Sequence, residues 1–153
     1  IKINTDGAIN NEARCAGGGG IARSHLSFIG AWSKPFPGVT DPLVAEALAL
    51  REGVIIAQLR GFSHVLMEVD CLEVVNLWLS RDSSRSIVVP ILDDIGEKSS
   101  FLSLSLLDMF QGRLILWPTL VLNGPVPCWF QAVGLRAVLR FFLVACGQIV
   151  IIC

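Results

Sequence analysis

Asp6, Glu46 and Asp70 are the residues whose types and settings point to chemistry. Asp6 closes the alternating run Ile1 to Thr5 and is followed by Gly7. Glu46 lies in the first turns of a segment with helical periodicity. Asp70 ends the apolar run His64 to Val69. In a domain that mixes strands and helices, two strand ends and one helix start converge readily on one point. Converging carboxylates repel one another, and a divalent cation is the usual means of holding them together. The chemistry that follows is magnesium-dependent phosphoryl transfer. The plainer reading, three solvated surface acids, is the default for isolated Asp and Glu, so the case depends on the elements that carry them.

Those elements are legible. Ile1 to Thr5 alternates as a half-buried strand. Asn10-Asn11-Glu12 reads as a turn, and Gly17 to Gly20 leads into a second strand at Ile21-Ala22-Arg23. His25-Leu26-Ser27 turns the chain into a third strand, Phe28 to Ser33. Pro35 to Pro42 is a connector. Asp41 then Pro42 predicts a helix start, a capping side chain ahead of proline at the first helical position. Leu43, Ala47, Leu50 and Val54 share one helical face. The helix should run to about Arg60 and stop at Gly61. A fourth strand, His64 to Asp70, precedes a helix marked by Leu72, Val74, Val75, Trp78 and Leu79. A further helix is expected within Ile87 to Phe101, around Ile91-Leu92 and Ile95. The order β-β-β-α-β-α predicts an α/β domain with a mixed sheet flanked by helices.

Other candidates have plain readings. Glu52, Glu68 and Glu73 are expected to be surface charges. Gly17 to Gly20 is not followed by Gly-Lys-Ser/Thr, so close backbone packing is favoured over a phosphate loop. His25 and His64 suit a turn and a strand edge. Asp93-Asp94 resembles a carboxylate pair, although a helix N-terminus favours acids for its dipole alone.

Composition sets further bounds. A chain of 153 residues that starts at Ile1 reads as one domain and as a fragment of something longer. A net charge of −1 gives no global basic signal, which leaves room for a local basic groove. Cys15, Cys71, Cys128, Cys146 and Cys153 form no C-x-x-C pair. They suit reduced thiols in the cytoplasm or nucleus. Charge is distributed unevenly. Residues 1–100 hold nine Lys/Arg and twelve Asp/Glu, whereas residues 101–153 hold three Arg and one Asp. Folded domains seldom give up surface charge over their last third.

Four blocks in order, INTDGA, GGGGIARS, AEALALREGVIIAQLRGF and VLMEVDCLEVV, resemble type-1 ribonuclease H domains. The likeness is to the plant, reverse-transcriptase-like subgroup derived from retroelements, and it covers about residues 1–100. It implies a ribonuclease H-like mixed five-stranded sheet flanked by helices. It implies cleavage of the RNA strand of an RNA–DNA hybrid by two magnesium ions held on four carboxylates, and no small-molecule cofactor. Asp6, Glu46 and Asp70 match the first three carboxylates, enough for one ion. Ser24 stands where many relatives have Asp.

The fourth carboxylate is expected in a segment resembling His-x-x-Arg-Glu-x-Asn-x-x-Ala-Asp, which is missing. Where it should stand the chain reads Asp108 to Leu120. With suitable silent bases, reading those codons one base earlier gives Arg-His-Val-Ser-Arg-Glu-Ala-Asn-Ser-Leu-Ala-Asp-Ala. The expectation is that the chain leaves its ancestral frame between about Lys98 and Leu107. Residues 101–153 are then a hydrophobic, out-of-frame tail and the domain is incomplete at its C-terminal end. Two alternatives follow: an inert nucleic-acid-binding retroelement remnant, and a tail-anchored membrane protein. The second is disfavoured, because Ala137 to Cys153 is short for a span and contains Arg140 and Gln148.

Overall fold

The computed structural model describes residues 1–25, 27–100 and 103–108. The chain forms β1 (Lys2–Asn10), β2 (Cys15–Arg23), β3 (Phe28–Pro35), α1 (Pro42–Leu59), β4 (His64–Val69), α2 (Leu72–Ser80), α3 (Val89–Ser99) and β5 (Ser103–Asp108). The sheet has five strands in the order β3-β2-β1-β4-β5. β1, β2 and β3 form an antiparallel meander. β4 joins β1 in parallel after the α1 crossover, and β5 joins β4 in parallel. This is the mixed sheet flanked by helices that the element order predicts.

Alternation along β1 divides the sheet into two faces. Ile3, Thr5 and Gly7 face the helices. Lys2, Asn4 and Asp6 project to the opposite face. The core lies on the helical side, where Ile3, Trp32, Met67 and Val69 pack with Leu50 and Val54 of α1, Val74 of α2, and Leu92 and Ile95 of α3. Full burial of each such aliphatic side chain contributes about 1.5–3 kcal/mol.

The α1 boundaries follow the sequence signals. The Asp41 side chain accepts from the Leu43 amide at 2.8 Å, and Pro42 opens the helix. Gly61 ends it at φ +66. There the Gly61 amide donates to Gln58 and the Phe62 amide to Ala57, at 2.9 and 3.0 Å. This pair of hydrogen bonds is a Schellman stop, and its left-handed residue suits glycine.

Several expectations need correction. β2 begins at Cys15, so Gly17 to Gly20 lie within the strand and not ahead of it. A side chain at Gly20 would overlap the Trp32 ring, so the run admits bulk from β3 and α1. Glu52 and Glu68 are buried, not surface charges. Each is neutralised by cations distant in sequence: Lys34 at 2.7 Å from Glu52, Lys2 and Arg23 at 2.6 and 3.0 Å from Glu68. Glu73 is exposed as expected. Asp93 and Asp94 fall in the second turn of α3, beyond reach of a dipole effect. Asp94 pairs with Arg51 and with Lys98, which hold its carboxyl below the ordinary range. Asp93 lies 4.0 Å from Arg81. On α2, Val74 and Val75 are buried but Leu72 and Leu79 are exposed.

No helix among the described residues is long and apolar enough to cross a membrane. The tail was expected to begin at residue 101, but Ser103–Asp108 forms β5 and pairs with β4, so the sheet takes in part of the stretch where the frame break was expected. The fourth carboxylate and the rest of the apolar tail, expected beyond Asp108, lie outside the described residues.

Candidate metal centre

The site is built where the β1–β4 ladder ends. Its last pairs are Asn4 with Glu68 and Thr5 with Val69. Asp6 is the next residue of β1, and Asp70 follows the last residue of β4. Asp6 is not a strand end, however. β1 continues to Asn10 on its β2 side, where Asp6 pairs with Gly19. Glu46 arrives from the second turn of α1.

Gly7 allows that arrival. A Cβ at Gly7 would overlap the Ala45 carbonyl and the Glu46 amide, so α1 rests directly on the β1 backbone. In return the Gly7 amide donates to Oε2 of Glu46 at 3.0 Å. Asp6 and Glu46 are half-buried and Asp70 is exposed. One carboxylate oxygen from each lies within 4.8 Å of the others. The three acids read from the sequence are therefore together in space.

Crowding sets the electrostatics. Burial pushes the Glu46 carboxyl up to about 8, and the neighbouring Asp6 and Asp70 charges add to the effect. A hydrogen bond with Asp6 acts in the same direction, against the Gly7 amide. An all-oxygen, multiply anionic donor set of this kind suits a hard divalent cation such as magnesium, with water filling the remaining positions. Such an ion would offset the burial and the Asp6 and Asp70 repulsion that together keep a proton on Glu46.

Residues that sequence reasoning passed over complete the surroundings. Gly7 was legible as the residue after Asp6, but its role depends on α1. Asn4 and Glu68 lie on the same sheet face as Asp6 and bond to each other. Alternation along β1 and β4 gave the only signal for that pair. Cys71, beside Asp70, is half-buried, and burial pushes its thiol up, away from a thiolate ligand. His25 is an exposed turn residue, and exposed His64 bonds Ser63 at the far end of β4.

The profile of a family described as reverse transcriptase-like matches residues 4–104. No curated protein matches the chain in sequence. Among solved structures the chain is similar to ribonuclease H1 from the halophilic archaeon Halobacterium salinarum. The identity is 15%, the TM-score 0.61, and the match covers 71% of this chain and 85% of that one. It is also similar to LC11-RNase H1 in complex with an RNA/DNA hybrid, at 18% identity and TM-score 0.61, covering 72% and 85%. The foamy viral protease-reverse transcriptase in complex with an RNA/DNA hybrid matches at 17% identity and TM-score 0.56. That match covers 71% of this chain and 17% of the viral one. At these identities the likeness is one of fold.

Proposed function

Since the chain belongs to the reverse transcriptase-like family, we propose that it is a ribonuclease H-type domain acting on RNA–DNA hybrids with a divalent cation. The observation that carries this reading is the convergence of Asp6, Glu46 and Asp70 within 4.8 Å. These three residues would hold magnesium, which when bound supplies Lewis-acid polarisation of a phosphoryl oxygen. The rest falls to the chain. Gly7 lets α1 approach and aims the Glu46 carboxylate through its amide. Asp70, exposed after β4, offers the side of the site open to a ligand. Discrimination of RNA from DNA in a hybrid rests on 2′-hydroxyls in a wide minor groove. The two similar proteins in complex with hybrids support that substrate class.

Turnover is the weak point of this site. The family pattern has a fourth carboxylate, and no segment of this sequence matches its motif. A domain that closes with β5 at Asp108, followed by an out-of-frame tail, accounts for that lack, and the family match ends at residue 104. These observations favour a second reading for the chain as it stands: it binds cation and hybrid but cleaves little.

Titration of the chain with magnesium, followed by NMR, tests the site. Binding should weaken strongly in Asp70→Asn. An unchanged titration in that variant would remove Asp70 from the site and the proposal with it.

A further inference from the structure

Beside the three carboxylates lies a second polar group that the cation does not need. Asn4 donates its side-chain amide to Oε2 of Glu68 at 2.5 Å, across the parallel β1–β4 pair. Both residues are buried, at 2% and 4% exposure, on the sheet face that also carries Asp6. Lys2 and Arg23 close on the same carboxylate at 2.6 and 3.0 Å. Among the described residues the Asn4 Oδ1 has no hydrogen-bond partner, so the bond to Glu68 is the one that fixes the amide.

The position of this pair is informative. Asn4 stands two residues before Asp6, and Glu68 two before Asp70. The backbone ladder stops one pair later, at Thr5 with Val69. Immediately beyond, two strands carry mutually repelling carboxylates with no ladder pair between them. Repulsion there tends to splay the strand ends. A buried ion pair is a poor source of stability, because apolar side chains of similar volume often serve as well. What a buried polar contact between two strands can add instead is a fixed register and spacing, even with the Asn4 Oδ1 left unpaired.

We propose that Asn4 and Glu68 are positioning residues for the metal centre, clamping β1 to β4 so that Asp6 and Asp70 keep the separation a divalent cation requires. The inference rests on the reading of Asp6, Glu46 and Asp70 as that centre. Partners that orient metal ligands without touching the ion typically change metal affinity by about 10–100-fold when removed. An indirect clamp belongs at the lower end of that range.

The test is Mn2+ affinity of the full chain, measured from free Mn2+ by electron paramagnetic resonance, with thermal melts in parallel. Asn4→Leu exchanges one neutral side chain for another, so a loss of affinity in it is not a Coulomb effect. It should bind Mn2+ about tenfold more weakly. Ile95→Ala, a core truncation in α3, should lower the melting temperature and leave the affinity close to wild type. If Asn4→Leu does not fold, the double variant Asn4→Leu with Glu68→Leu decides. It leaves no orphaned partner in the pair, and it is compared with Glu68→Gln, which makes the same charge change but keeps an acceptor for Asn4. The double variant should bind more weakly than Glu68→Gln. Wild-type affinity in Asn4→Leu, or an equal loss in Ile95→Ala, overturns the positioning role. Asp70→Asn separates the two levels of the argument. If it binds Mn2+ as wild type does, the metal-centre reading fails and the clamp falls with it. If it loses affinity while the pair variants do not, only the clamp is wrong.

Discussion

The backbone amide of Gly7 donates to Oε2 of Glu46 at 3.0 Å, so the residue after the first carboxylate holds the second. The bond depends on α1 lying against bare backbone, because a Cβ at Gly7 would overlap the Ala45 carbonyl. Gly7→Ala should therefore force strand and helix apart. Overpacking of this kind costs about 1–3 kcal/mol. Divalent-cation affinity should fall as well, since Glu46 retreats with its helix. Thermal melts and calorimetric titration check both effects. A Gly7→Ala chain that binds magnesium as wild type does would rule out the close approach as the determinant of the site.

Cation binding should be linked to a proton. Glu46 titrates at about 8 in the folded, metal-free chain, through burial and through the Asp6 and Asp70 charges. At pH 7 a cation must displace that proton, so affinity should rise with pH and level off above about 8. Calorimetry in buffers of different ionisation enthalpy should show proton release on binding, and Glu46→Gln should abolish it. Stability of the metal-free chain carries the opposite dependence. The folded value lies above the unfolded 4.5, so the contribution is complete below 4.5 and is lost as pH rises through about 8. Magnesium should restore stability at the alkaline end.

Glu68 should behave in the reverse sense. Burial alone would raise its carboxyl, but Lys2, Asn4 and Arg23 outweigh burial and hold it below the ordinary value. Its contribution is therefore present above 4.5 and is lost as pH falls through the folded value. Glu68→Gln should flatten the acid limb of the stability profile and leave the alkaline limb, which belongs to Glu46. Hydrogen bonds to a charged group contribute about 1.5–3 kcal/mol, and the lower end applies because Lys2 and Arg23 remain half exposed. Denaturant melts at pH 4, 6 and 8 separate the two limbs. An acid limb unchanged in Glu68→Gln would show that other carboxylates set it.

Local signals were readable in the sequence, and pairings distant along the chain were not. Asp41, Pro42 and Gly61 mark the two ends of α1 because caps and stops act within a few residues. Glu46 and Asp70 were legible because each sits at an identifiable point of an element, whereas Asp6 was read as a strand end although β1 runs on to Asn10 beside β2. Glu52 and Glu68 look like surface acids until β3 brings Lys34, and β1 and β2 bring Lys2 and Arg23, into contact. Gly17 to Gly20 resembles a loop by composition, because the bulk that needs the space comes from Trp32 on another strand. Periodicity identifies a face of α2 but not whether anything covers it, so Leu72 and Leu79 read as core although they are exposed.

The frame break makes the sharpest prediction. Three carboxylates converge, and the sequence segment expected to carry a fourth reads Asp108 to Leu120 with no matching motif. Reading Met109 to Thr119 one base earlier should give the His, Arg-Glu, Asn and Ala-Asp signature in the nucleotide sequence. A gene corrected to that frame should encode a chain with a more charged C-terminal segment and a fourth carboxylate. The chain as it stands should cleave a labelled RNA–DNA hybrid at least about a hundredfold more slowly than the corrected one, because in-line displacement tolerates little misplacement. Asp6→Asn should abolish cleavage by the corrected chain. The account fails if the codons do not contain the signature. It fails equally if the present chain cleaves hybrid as fast as the corrected one, since a residue already in the chain would then be supplying the missing carboxylate.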